Sequence, residues 1–282
     1  MVRAQSVLQS TTVAVSLAVP FAATASFPWL GARPLFAANA LTFATAAALL
    51  ARLRNELAPS GGGSQQSLLR SVGAGLRNLW SNVTVRTLTV VGVANAATGG
   101  VLPALYVVLS TEQWGVGPDD SRISVFALAG GVGSLVGSSV LPPARRALAP
   151  LPLTAVALAV NTACVLSVAF ARSVYAAAAA YGLWQATYLL VITNAITVRM
   201  ELVPDEFLGR VNSAARLVSW GASPLAAMLA GAAAERVPAR TVVAGSAGFA
   251  VVGVIGTVAV VLMLRRQRHR DSPLDMTEAG VS

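Results

Sequence analysis

The chain contains no lysine: all twenty of its basic residues are arginine, against eleven acids, which leaves a formal charge of +9. Charge is scarce altogether, at 11% of residues beside 55% hydrophobic ones and a mean hydropathy of +0.69. That scarcity excludes a soluble globular domain, which needs a polar surface to show to water. Cysteine occurs once, as Cys164 in an apolar stretch, so no disulfide framework and no cysteine-based metal site is expected. The one histidine, His269, lies in the basic run Arg265-Arg266-Gln267-Arg268-His269-Arg270 and reads as part of a solvated tail. Arginine excess on a soluble fold would point to nucleic acid. Here the arginines flank apolar runs and read as topology signals, so the expected partner is the lipid bilayer and not nucleic acid.

What the chain does have is long stretches without any charge. Eight such runs cover residues 4–32, 34–51, 87–111, 123–144, 147–171, 173–198, 217–234 and 241–264. A helix needs about 20 residues to cross the hydrocarbon core. The expectation is an all-α polytopic membrane protein with eight transmembrane helices. No Asp or Glu falls inside any run, so nothing in these spans is expected to titrate at mid-membrane.

Between the second and third runs lies one long polar linker, opened by Pro59-Ser60-Gly61-Gly62-Gly63-Ser64-Gln65-Gln66. Its second part sets Leu68, Leu69, Val72, Leu76, Leu79 and Trp80 at three- and four-residue steps, the pattern of an amphipathic helix lying in the interface or packed on the next span. Counting arginines over the alternating loops gives fifteen on one side and five on the other. This asymmetry predicts a cell-membrane protein with both termini and the linker in the cytoplasm.

The first and last pairs of spans resemble each other. Arg3-Ala4-Gln5-Ser6 opens one span and Arg210-Val211-Asn212-Ser213 another; each continues to a proline among small residues, Ala18-Val19-Pro20-Phe21-Ala22-Ala23 and Ala222-Ser223-Pro224-Leu225-Ala226-Ala227. Each is followed by a second span ending in arginines, Arg52-Leu53-Arg54 and Arg265-Arg266. A copy running in the same direction suggests two parallel halves. It also argues against reading residues 1–29 as a signal peptide, despite the small-residue triplet Ala23-Thr24-Ala25.

The segment Val203-Pro204-Asp205-Glu206-Phe207-Leu208-Gly209-Arg210-Val211-Asn212-Ser213, with Trp220-Gly221-Ala222-Ser223-Pro224-Leu225, resembles the major facilitator superfamily, in its branch of enterobactin-exporter-like and macrolide-efflux-like proteins. Gly137-Ser138-Ser139-Val140-Leu141-Pro142-Pro143-Ala144-Arg145-Arg146 is similar to that family's cytoplasmic Gly-x-x-x-Asp-Arg-x-Gly-Arg-Arg loop, with Leu141 replacing the acid and Ala144 the second glycine. Of the antiporter motif Gly-Pro-x-x-Gly-Gly, only the proline survives in Val19-Pro20-Phe21-Ala22-Ala23-Thr24. The resemblance implies helices five to twelve of a twelve-helix transporter: 1–54 as the last two helices of the N-terminal half, 55–85 as the linker, 86–266 as a six-helix C-terminal half and 267–282 as a tail. It implies a secondary-active exporter, an antiporter of a small amphipathic molecule, with no cofactor. A truncated, inactive fragment and an accessory subunit working with a separate four-helix segment are its rivals. An intramembrane enzyme would need clustered His, Asp, Glu, Ser or Cys on facing helices, which the runs do not offer.

Polar residues inside the spans are the candidates for contact with solute. Trp184, Gln185 and Tyr188 share a helical face by their spacing, Asn95 and Thr98 sit beside Gly99 and Gly100 where the helix is free to break, and Asn161 and Asn194 complete the set. Each has plain interhelical hydrogen bonding as its alternative role. Arg145, Arg146, Asp205, Glu206, Arg210 and Arg216 are candidates for a cytoplasmic gate, with Arg216 also placed to snorkel to the surface. Gly130, Gly131, Gly133 and Gly137 form a small-residue face suited to close helix packing. If helices one to four precede this segment, the DNA upstream of Met1 is expected to encode, in frame, roughly 130 to 150 further residues with four apolar spans. A stop codon directly upstream would sink that expectation.

Overall fold

The computed structural model describes residues 31–56, 77, 79–203 and 205–270, and among them every regular element is helical. The chain divides into two units, Met1–Ser71 and Val72–Ser282. In the first, helix α1 covers Ala32–Glu56 and contains the predicted run 34–51; most of the run 4–32 lies outside the described residues. The second unit contains α2 (Val83–Trp114), α3 (Ser124–Ala147), α4 (Pro150–Ala169), α5 (Val174–Leu202), α6 (Asp205–Ala234) and α7 (Ala239–Arg270). Among the described residues six helices, all in this unit, are long and apolar enough to cross a membrane. α1 is not among them.

Apart from α4, which lies inside its run, the helices of the second unit overrun the uncharged runs at one end or both, because charged side chains reach the interface while the backbone stays helical. α6 is the extreme case: the predicted run begins at 217, yet the helix begins at Asp205 and takes in Arg210 and Arg216. Its ends and those of its neighbours have visible causes. Asn82 Oδ1 accepts from the Thr84 and Val85 amides at 3.0 and 3.2 Å to start α2, and Ser173 Oγ accepts from the Ala176 amide at 3.2 Å to start α5. Pro150 begins α4, where a missing N–H costs nothing. The start of α7 is held from a distance, its Ala239 amide donating to Glu112 Oε2 at 2.9 Å. The amphipathic segment expected ahead of α2 is described only at its end, where Leu79 is buried among Val85, Val203, Val211 and Ala215 while Trp80 is exposed.

Packing within the second unit repeats with exchange. α2 packs extensively on α6 and α7, and α5 packs in the same way on α3 and α4. α2 and α5 also meet each other, as do α4 and α7. The pattern of the larger contacts is unchanged when α2, α3 and α4 trade places with α5, α6 and α7, whereas the smaller α2–α4 and α5–α6 contacts have no comparable counterpart. Each three-helix block therefore lends its middle helix to the first helix of the other block. Apolar clusters fill successive levels between these helices, from Val116, Phe126 and Val174 at one end, through Leu102, Leu105, Val165 and Trp184, to Leu88, Leu151 and Val198 at the arginine-rich end.

Two helix pairs approach backbone to backbone. A Cβ on Gly133 would collide with the Gly182 carbonyl oxygen and one on Gly137 with that of Ala186, so the α3–α5 contact requires glycine at both. On the other side of the exchange, Gly100 meets the Ser223 carbonyl of α6 in the same way. This also corrects an expectation: α2 runs unbroken through Gly99 and Gly100, whose missing side chains make room for Tyr188 and α6 and do not break the helix. Large apolar side chains such as Leu217, Met228 and Leu229 on α6 and Val252 and Ile255 on α7 stand exposed on the outer faces. In water that surface would be an aggregation hazard; in lipid it is the required exterior. Gly133→Ala is expected to cost about 2 kcal/mol or more in denaturant-monitored unfolding in detergent, as overpacking does. Gly131→Ala meets nothing within 4 Å and should leave stability unchanged or slightly raised.

Candidate functional site

Hydroxyls inside the spans satisfy themselves. Thr87, Thr89, Ser110, Thr162, Thr193 and Thr257 each donate to the carbonyl four residues earlier at 2.7 to 2.8 Å. Carboxamides are longer and have two ends to satisfy, so they mark where helices are tied across the bundle or where a ligand is met.

Asn95 and Asn161 lie on either side of α5. Asn95 Nδ2 donates to the Tyr188 carbonyl at 3.2 Å, and Asn161 Nδ2 to Thr187 Oγ1 at 3.5 Å. Both residues are fully buried, and neither Oδ1 has a hydrogen-bond partner among the described residues. Thr98 is equally buried and donates to the Asn95 carbonyl at 2.8 Å. Trp184 is 1% exposed with its Nε1–H unpaired among the described residues, and its ring stacks on Tyr188 with centroids 5.1 Å apart. Gln185 and Tyr188 differ from these in being half-buried: Gln185 Nε2 donates to Ser134 Oγ at 3.2 Å, and the Tyr188 ring lies over Gly99. Of the sequence-predicted cavity residues, only Gln185 and Tyr188 therefore reach the surface of the six-helix unit. Asn95, Thr98, Asn161 and Trp184 form a sealed layer behind them.

An aromatic column continues from that face, which the sequence reading did not pick out. Tyr181 lies 5.2 Å from Trp184 and 5.5 Å from Phe126; Phe126 lies 5.3 Å from Tyr106 and 6.4 Å from Trp114. The signal was present as Tyr181, Trp184 and Tyr188 at three- and four-residue steps on α5. Only the partners from α2 and α3 needed the fold. At the column's outer end the Gln113 and Trp114 side chains both donate to the Ala171 carbonyl, at 2.9 and 3.1 Å. Nearby, the exposed Arg122 guanidinium hydrogen-bonds to Asp120 and holds its carboxyl below the ordinary carboxylate range.

Asn194 sits elsewhere, at the arginine-rich end. Its Oδ1 accepts from Arg145 Nη1 at 3.0 Å, and its Nδ2 donates to the Pro150 carbonyl and Thr154 Oγ1, both at 2.9 Å. Arg145 in turn donates through Nη2 to both oxygens of Glu201, the closer at 2.6 Å. The end of α3, the start of α4 and the end of α5 are joined through these side chains. Of the gate candidates, Arg146 is exposed, and Arg216 lies over the Trp220 ring with its guanidinium carbon 4.7 Å from the centroid. Asp205, Glu206 and Arg210 lie on the first two turns of α6, and their side chains lie outside the described residues. Arg199, which sequence reasoning passed over as a loop charge, is 6% exposed near the end of α5.

A groove of about 410 Å³ between α3 and α5 is lined by Val125, Leu128, Val132, Val136 and Leu183, with Tyr175 its one polar side chain. It is an apolar exterior suited to acyl chains, and none of the candidate residues lines it. Comparison with protein-family models and with curated proteins finds no match to the chain.

The two kinds of polar contact differ in energetic weight. Glu201 is half-exposed, so its ion pair with Arg145 is worth about 1 kcal/mol or less. Asn194 is fully buried and holds three partners, one of them charged. Asn194→Ala is expected to lower unfolding stability by about 3 kcal/mol, against about 1 kcal/mol or less for Glu201→Gln. Equal effects in a detergent unfolding titration would refute this ranking.

Proposed function

We propose that the chain is the greater part of a major-facilitator-type transporter of the cell membrane, with eight spans and both termini cytoplasmic, exporting a small amphipathic molecule by alternating access. The observation that carries this reading is the exchanged pair of three-helix blocks in Val72–Ser282, the internal symmetry by which transporters of this kind build each half. Support also comes from the face formed by Tyr181, Gln185 and Tyr188, where rings and a carboxamide stand half-buried in front of a sealed polar layer. Such a face offers stacking to an apolar body and hydrogen bonds to a polar group. In this reading Gln185 and Tyr188 touch the solute, Asn95, Thr98, Asn161 and Trp184 hold them in position, and the Arg145–Asn194–Glu201 network steadies the cytoplasmic end against which the halves rock.

The test is efflux of a fluorescent amphipathic dye from cells lacking their main exporters. Expression of the wild-type chain joined to four preceding helices should lower retained dye where the chain by itself does not, and Tyr188→Ala in that longer form should reduce the efflux rate about 10-fold at equal membrane abundance, the loss of one stacking contact of about 1.4 kcal/mol. Tyr188→Phe, which keeps the ring, should retain most of the rate. No dye efflux by the longer wild-type form, or equal efflux by Tyr188→Ala, would overturn the assignment.

A further inference from the structure

Arg199 is the one strongly buried charge among the described residues. The residue is 6% exposed, and among the described residues its Nε has no hydrogen-bond partner and no ion pair joins it. Glu201, two residues along the same helix, is already engaged through both oxygens by Arg145. The end of α5 packs on α6 through Val203, Val211 and Ala215, which brings a second guanidinium, that of Arg216, within electrostatic reach of Arg199. Burying one unpaired cation costs several kcal/mol, and setting another beside it adds to that cost. Like charges kept together in this way call for an anion.

The surroundings narrow the chemistry. Arg216 stacks on Trp220, which occupies the face of the guanidinium and leaves its in-plane N–H groups free for a planar fork onto oxygen. It stands five residues into the span Val211–Ala234, or about 8 Å at helical rise, so the pair lies near the depth of lipid headgroups. Trp220 is itself half-exposed, so the stacked guanidinium remains open to an incoming anion.

We propose that Arg199 and Arg216 form a binding site for a phosphate-bearing anion at the arginine-rich end of α5 and α6. The phosphate of an anionic lipid and a free phosphate share the required chemistry. The site stands independently of the transport reading.

The experiment measures thermal unfolding of the full chain in nanodiscs of phosphatidylcholine alone, of phosphatidylcholine with phosphatidylglycerol, and of phosphatidylcholine with inorganic phosphate. The wild-type Tm is expected to rise by about 3 °C or more with phosphatidylglycerol, with phosphate, or with both. A rise with phosphatidylglycerol alone identifies the lipid as the ligand, and a rise with phosphate identifies the free ion as sufficient. Arg199→Gln should abolish the rise while leaving the Tm in phosphatidylcholine unchanged or higher, because it removes an unpaired buried charge. Arg216→Gln, at an exposed position that tolerates change, should abolish most of it, and Arg146→Gln should keep it, which separates the site from a general response of a chain carrying a +9 charge. The proposal is overturned if neither anion raises the wild-type Tm, if Arg146→Gln loses the rise as fully as Arg216→Gln, or if Arg199→Gln lowers the Tm equally in all three conditions, the mark of a lost internal ion pair.

Discussion

Hydrocarbon offers a polar group no partner, and every feature of the six-helix unit follows from that one fact. Backbone groups are absorbed by helices, hydroxyls by the carbonyl one turn earlier, and cross-bundle carboxamides by carbonyls and hydroxyls of a facing helix. What is left after these local solutions is short: the side-chain oxygens of Asn95, Asn161, Asn212 and Gln113, the Trp184 indole N–H and the Arg199 Nε, none with a partner among the described residues. The same rule that makes the exterior monotonous thus singles out the places where the interior is chemically unfinished.

Most of those places fall at two depths. Near the middle of the unit, Asn95, Asn161 and Trp184 back the half-buried face of Gln185 and Tyr188. At the arginine-rich end the polar groups are charged and divide further: Arg145 is tied to Asn194 and Glu201, whereas Arg199 and Arg216 are left facing each other's field. Burial separates structural from ligand-facing roles here more sharply than residue type does. Asn194 and Gln185 are both carboxamides on α5, yet one is locked into three bonds and the other reaches the surface with one.

Much of this was legible in the chain before any coordinates. Uncharged runs located six helices long and apolar enough to span because lipid tolerates so few charges, and the Gly133-x-x-x-Gly137 face pointed to a close helix contact, whose partner, α5, only the fold supplies. Boundaries were less legible where charge and helix part company, as on α6, whose first three turns are charged and helical at once. Depth of burial was hidden for a different reason. Helical spacing put Trp184 and Tyr188 on a common face, but whether that face turns to a neighbour or away depends on which helix arrives opposite, a property of tertiary packing. Arg199 was missed for the same cause, since a charge just past an uncharged run looks like any loop arginine until its surroundings are seen.

The exchange between blocks also bears on how the chain comes together. α3 is made and released well before α5, the one helix on which it packs extensively, and α6 in turn finds its main partner in α2, already in place. The face of Gly133 and Gly137 must therefore spend the synthesis of some 40 residues against lipid or an insertion factor. Neither block can close alone. Insertion is committed only when the fourth helix of the unit arrives, which makes α5 the point at which a string of inserted helices becomes a folded protein.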